Sequence, residues 1–306
     1  MARNVKLVKM LSSLDNIHIN VRNMRGETML HRVAASTDAR DVEIAKIILA
    51  HPAVDINVRN RISRCKCTGA RGGDAPLHVA TREGSVEVVR MLMNRADCDV
   101  NVLNARDQQP IALAALRRNK EIFEMLFDHR DVHINTPLKF ARLLKLVAGR
   151  GRGDYNDEWR DVVRVLATHE MLDVSSPLYG DIPVLVWAAD NLDPYLVKLL
   201  LERNDTDVNI RDTYGHTALH SCFLNGYPQE YPGSLEIAKL LLAQKDINLH
   251  IRNFNMEFPA DAAEEVGCLE IYKQLLLESS VAQQNVSDVN GSADASPGPS
   301  TCCVIL

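Results

Sequence analysis

The chain has 306 residues, 46% of them hydrophobic and 25% charged, enough to bury a sizeable core beneath an ordinary solvated surface. A formal net charge of -5 and a pI near 6.1 give no global basic field, so no nucleic-acid partner is expected. The seven cysteines (65, 67, 98, 222, 268, 302 and 303) are odd in number and scattered, and Met1 to Met10 lacks the apolar core of a signal peptide, which points to reduced thiols in the cytosol. The longest apolar runs, such as Val184 to Ala189 and Leu196 to Leu201, fall far short of the roughly 20 residues a membrane span requires.

In chain order, Val5 to Leu14 has apolar residues at helical spacing with no turn motif before it, and reads as the outer helix of an incomplete unit, residues 1–23, that caps the units after it. Thr28-Met29-Leu30-His31 then opens a short helix, Val42 to Ala50 supplies its partner, and Asp55-Ile56-Asn57 leads back to a turn. Ala75-Pro76-Leu77-His78 opens the next copy, with Gly84 and Glu87-Val88-Val89 behind it. A third, at Gln109-Pro110-Ile111-Ala112 with Glu121 to Phe127, has Ala112 where the histidine stood. Thr136-Pro137-Leu138-Lys139 starts a fourth, whose second helix, Trp159 to Thr168, is delayed by an insertion. Ile182-Pro183-Val184-Leu185 with Tyr195 to Glu202 makes a fifth, Thr217-Ala218-Leu219-His220 with a run ending at Leu242 a sixth, and Phe258-Pro259-Ala260-Asp261 with Leu269 to Leu277 a seventh.

A T-P-L-H-like tetrapeptide, a second helix ending in paired leucines and a D-V-N return recur in that order, and the chain thereby resembles the ankyrin-repeat family over residues 1 to about 278. The resemblance implies an all-α solenoid of stacked helix pairs with β-turn or hairpin fingers, residues 24–278 forming about six to seven repeats. It implies that His31, His78 and His220 hydrogen-bond between neighbouring repeats and carry no chemistry. Thr28, Thr136 and Thr217 are expected to cap the short helices, and proline to sit in their first turn. It further implies a non-catalytic protein-binding role on the concave face, with no cofactor. No nucleophile motif or metal-ligand set argues for an enzyme.

Three insertions interrupt the pattern. Arg61 to Gly73 carries Arg61, Arg64, Lys66 and Arg71; with Arg59, Arg82, Arg117 and Arg118 in neighbouring register it is either a basic patch for an acidic or phosphorylated partner or a solvated loop. Cys65 and Cys67 have no second pair at suitable spacing, so no metal is expected there. Leu144 to Glu158 is glycine-dense without the G-K-[ST] ending of a phosphate loop, and its Arg152-Gly153-Asp154 is a chance match to an integrin tripeptide. Asn225 to Ser234 holds Tyr227 and Tyr231 among prolines, either a partner anchor or packing for the adjacent repeat.

From Ser279 the composition turns polar, and residues 279–306 are expected to be disordered. Asn285 and Asn290 fit glycosylation acceptors but, with no secretory signal, are expected to stay unmodified. Cys303-Val304-Ile305-Leu306 matches a C-a-a-X prenylation motif whose leucine favours geranylgeranyl, followed by proteolysis and methylation at Cys303. Cys302 is either a palmitoylation site or a bystander; residues 279–301 contain no Lys or Arg to supply a polybasic second signal. The expected partners are therefore a protein on the repeat face, a prenyltransferase and a membrane reached through the lipid. Two locations stay open: the cytoplasmic face of a membrane, or cytosol or nucleus for an unlipidated interaction protein such as a transcription coregulator.

Overall fold

A computed structural model describes residues 5–12, 17–61, 63–65, 69–132, 137–149, 157–170, 172–175, 177–178, 182–224 and 232–278. The chain is mostly helical and divides into two compact units, 1–149 with 156–163 and 150–155 with 164–306.

In the first unit, α1 (Val5–Ser12), α3 (Ala39–Leu49), α5 (Val86–Met93) and α7 (Lys120–Phe127) pack in succession as one layer. The helices α2 (Met29–Ala34), α4 (Pro76–Glu83), α6 (Pro110–Arg117) and α8 (Pro137–Ala148) form the other. Between α3 and α4, β1 (Ser63–Cys65) and β2 (Gly69–Arg71) make an antiparallel hairpin. Each helix pair buries one stripe against its partner and another against the next pair, so Ile44, Ile48, Val88, Val89, Leu92, Ile122 and Leu126 are all buried. An aromatic cluster closes this core: Phe123 stacks on Phe127 at 5.8 Å and meets the edge of Trp159, on α9 (Asp157–Thr168), at 5.9 Å. The pairs turn tightly because a residue in the left-handed region ends the first helix, Gly84 at φ +79° and Arg118 at φ +51°. Asn119 then caps α7 through its side chain, accepting from Ile122 N–H at 3.0 Å.

In the second unit, α10 (Val184–Asp190), α12 (Ala218–Leu224) and α14 (Pro259–Glu265) stack in one layer, and α11 (Pro194–Leu201) packs on α13 (Pro232–Leu242) in the other. A last helix, α15, covers 269–278. The paired leucines lie in the core, with Leu200 and Leu241 fully buried, and Tyr272 of α15 meets Phe223 edge-on at 5.6 Å. Asp193 caps α11 by accepting from Leu196 N–H at 3.0 Å.

Several sequence expectations need adjustment. The helices reach into two insertions: Leu144–Ala148 belongs to α8, Asp157 and Glu158 to α9, and Pro232–Ser234 to α13. The fifth tetrapeptide is one residue further along, because α10 begins at Val184 with Pro183 at its N-cap, whereas Pro76, Pro110 and Pro259 sit in the first helical turn. A short β-pair explains the slip: β3 (Pro177–Leu178) runs antiparallel to β4 (Ile182–Pro183), holding Pro183 in extended pairing. Val186 then takes the histidine's place.

Candidate functional site

Five finger turns among the described residues share one clamp. An Asn or Asp at the first position accepts from the backbone N–H groups two and four residues on: Asn23 from Arg25 and Glu27, Asn104 from Arg106 and Gln108, Asp212 from Tyr214 and His216, and Asn253 from Asn255 and Glu257, all at 2.8–3.1 Å. The first residue's own N–H returns to the fifth residue's carbonyl, as in Asn23 to Glu27 and Asp212 to His216, both 2.9 Å. The fourth position has positive φ, filled by Gly26, Gly215, Asp107 and Met256. Where residues 61–73 interrupt the turn the clamp survives: Asn60 N–H donates to Asp74 C=O at 3.0 Å and Asn60 Oδ1 accepts from Asp74 N–H at 3.0 Å. Gly73 keeps the left-handed position at φ +67°. The insertion is thus grafted onto an intact finger. The β1–β2 hairpin forms part of it, with Arg64 opposite Ala70.

Neighbouring fingers are tied by backbone and histidine. Arg61 N–H donates to Arg25 C=O at 2.8 Å, Ala105 to Gly72 at 3.1 Å, and Phe254 to Tyr214 at 2.9 Å. Beneath them, His31 Nδ1 accepts from Thr28 N–H at 3.1 Å while Nε2 lies 3.0 Å from Asp74 C=O in the next repeat. His78 links Ala75 N–H to Gln108 C=O, and His220 links Thr217 N–H to Glu257 C=O, in the same way. One tautomer, protonated on Nε2, satisfies all three pairs, and the hydroxyls of Thr28 and Thr217 donate to the same Nδ1 atoms. Burial pushes each imidazole below its usual value, the carbonyl partner pulling the other way, so the rings are held neutral. In the seventh repeat Asp261 does the first half of this task, accepting from Phe258 N–H at 2.7 Å, with no N–H to send onward.

Two further joints went unnoticed in the sequence. The asparagine of D-V-N bridges repeats: Asn57 donates to Asp97 C=O and accepts from Asp99 N–H, and Asn209 does the same with Asp246 and Asn248. Arg95 and Arg203 each pair with an aspartate two residues on and donate to carbonyls at the end of the preceding outer helix, Arg95 to Leu49 and Arg203 to Ala167, His169 and Leu172. Both were legible as Arg-x-Asp after the leucine run.

An open groove of about 900 Å³ lies in the first unit, between the finger turns and the helices α4 and α6. Of the arginines proposed from sequence it gathers Arg61, Arg82 and Arg117, the last from the end of α6; to these it adds Arg25 and Arg106 from finger turns. Its carboxylates are engaged within the protein. Asp74, largely buried, pairs with Arg82 and accepts from Asn104 Nδ2 at 3.2 Å; Glu83 pairs with Arg82 at 3.2 Å, and Glu27 accepts from Asn23 Nδ2 at 2.9 Å. Arg82 is therefore a structural ion pair at the groove floor, whereas Arg25, Arg61, Arg106 and Arg117 are exposed along its edge.

The side chains of Arg64, Lys66 and Arg71 lie outside what the structure describes, as do Thr136, Tyr227, Tyr231, Cys302 and Cys303. Cys98, Cys222 and Cys268 are free thiols among the described residues; burial pushes Cys98 up to about 12 and raises the other two, which favours the thiol over the thiolate. No cluster able to hold a metal ion occurs among the described residues, and no helix there is long and apolar enough to cross a membrane.

A family model described as ankyrin repeats (3 copies) matches residues 1–104, 62–137, 156–253 and 185–288. Among solved structures, the ankyrin repeat domain of Bcl-3, described as a unique member of the IkappaB protein family, is 18% identical with a TM-score of 0.58, covering 81% of this chain and 99% of that one. An ankyrin repeat domain from Acinetobacter baumannii AYE is 22% identical with a TM-score of 0.36, covering 82% and 97% respectively. With most of its length matched by overlapping copies of that model, the chain belongs to the ankyrin-repeat family.

Proposed function

We propose that this chain is a non-catalytic adaptor that holds a protein partner on the finger-and-inner-helix surface of its repeats. The observation that carries this is the division of labour in each repeat. Clamp, asparagine bridge and, in three repeats, histidine link engage many of the buried polar groups, leaving the second and third finger positions, such as Arg25, Arg61 and Arg106, exposed on a fixed backbone. A scaffold that presents exposed side chains from a backbone already ordered before binding suits recognition. Cross-linking mass spectrometry on partner captured by the full chain tests it: cross-links from the finger surface support the adaptor, and cross-links confined to the outer helices contradict it.

The proposal extends to location. Cys303-Val304-Ile305-Leu306 supports geranylgeranylation of Cys303 and placement on the cytoplasmic face of a membrane, with palmitoylation of Cys302 as a second attachment, because one lipid chain alone binds reversibly. A prenyltransferase would act on the chain before it reaches that membrane. Metabolic labelling with a geranylgeranyl analogue should mark the wild type and spare Cys303→Ser; equal or absent label contradicts the tether.

A further inference from the structure

From the groove of the first unit we infer that the partner is engaged through an extended peptide segment carrying several carboxylates, a conclusion that rests on the adaptor function and specifies its chemistry. The chain as a whole is acidic, at -5, yet among the described residues this groove is lined by five arginines against three carboxylates. All three carboxylates already have partners in the protein: Asp74 and Glu83 on Arg82, and Glu27 on Asn23. The described lining thus carries a net excess of two positive charges, with Arg25 and Arg117 exposed among them. Arg25 and Arg106 stand at the third position of their fingers, Arg61 at the second position of the finger between them, and Arg117 on the inner helix.

The distribution decides the ligand. A single phosphate needs several donors converging on one point; the arginines here are carried by three successive fingers and an inner helix, a placement along the repeats that suits acceptors repeated along a chain. Arginine in particular presents a planar fork that meets a carboxylate bidentately. The fingers that carry them are clamped and tied by backbone hydrogen bonds, Arg61 N–H to Arg25 C=O among them, so the spacing of the charges is set before the partner arrives. Exposed Met24 on the rim and Leu113 in the wall give apolar contact for the intervening residues of the segment.

The test uses the full chain and a short fluorescein-labelled peptide with glutamate at alternate positions, followed by fluorescence anisotropy at low and raised salt. The glutamate peptide should bind, weaken as salt rises, and give way to no binding when every glutamate is glutamine. Arg25→Glu with Arg117→Glu should weaken it by about tenfold or more, and the milder Arg25→Gln with Arg117→Gln by several-fold. The glutamine pair decides the matter if the reversed pair melts below the wild type. Arg130→Glu, an exposed arginine outside the groove lining, should change binding less than twofold, about the size of a rim-charge effect. Equal binding of the glutamine peptide, or equal loss in Arg130→Glu, would overturn the inference. Absence of peptide binding by a chain that still captures its partner on the finger surface would also overturn it, while leaving the adaptor function standing.

Discussion

The two units build their fingers alike and decorate them differently. In the first, the exposed second and third positions are Met24 and Arg25, Arg61, and Arg106; in the second they include Tyr214 and Phe254, with Met256 beside them, exposed by 65%, 69% and 63%. Beneath this contrast lie the same parts: an Asn or Asp clamp, a left-handed fourth residue, a backbone tie to the next finger and a neutral histidine linking two repeats. The histidine position is filled by histidine in three repeats, by Asp261 in the seventh and by the apolar Ala112 and Val186 in two others, whereas positions facing solvent differ more freely. Recognition can therefore change from guanidinium to aromatic without disturbing the stack.

If the shared parts carry stability equally, matched substitutions in the two units should cost the same. The largest effect is expected for His78→Ala and His220→Ala. Each leaves a buried N–H without a partner, strips a second donor from a carbonyl that keeps its finger N–H, and empties the space of a buried ring, which together cost about 2–4 kcal/mol and should lower the urea midpoint of its own unit. A much smaller loss in either would break the equivalence. Next come Gly26→Ala and Gly215→Ala. Both glycines have positive φ, and an added Cβ would lie 2.7 Å from Arg61 N in one case and 2.9 Å from Phe254 N in the other, so each should lose about 1–3 kcal/mol by thermal melting. Gly267, at φ +70° with nothing within 4 Å of an added Cβ, should lose only about 1 kcal/mol on the same change.

Acidification tests the histidines of both units together. Their folded-state values are lowered below 6.5, so the unfolded chain binds more protons in the window beneath it. Their contribution should be full above pH 6.5 and fall as pH drops through the lowered values, which chemical denaturation at a series of pH values would show; rising stability over that range contradicts neutral buried rings. The smallest effect should come from the display positions. Tyr214→Arg, which gives the second unit the first unit's third-position residue, should change stability by no more than about 0.5 kcal/mol in a urea titration.

How much of the molecule was legible in its sequence follows the same division. Repeats declare themselves through positions with few chemical solutions, so Thr28, His31, His78, Thr217 and His220 mark the helices at their true places. The register slipped at Pro183 because proline there belongs to a β-pair, a tertiary circumstance that a tetrapeptide does not encode. The groove was partly visible. Arg61, Arg82 and Arg117 stood out by charge density and repeat register, but Arg25 and Arg106 are single arginines in ordinary turns, and only the stacking of fingers brings them to one groove. Arg82 also shows why charge alone misleads, since its guanidinium is held by Asp74 and Glu83. The helix ends within the insertions were hidden because glycine and proline density signals a loop without saying where the flanking helix stops.

The central claim is that recognition belongs to the arginine-bearing fingers of the first unit and that the fingers of the second share only the scaffold. Hydrogen–deuterium exchange on the full chain, with and without the glutamate peptide, tests it most directly. The account predicts slowed exchange at residues 24–27 and 104–117 and none at 212–217 or 253–257; protection of the second unit's fingers with none in the first would contradict it.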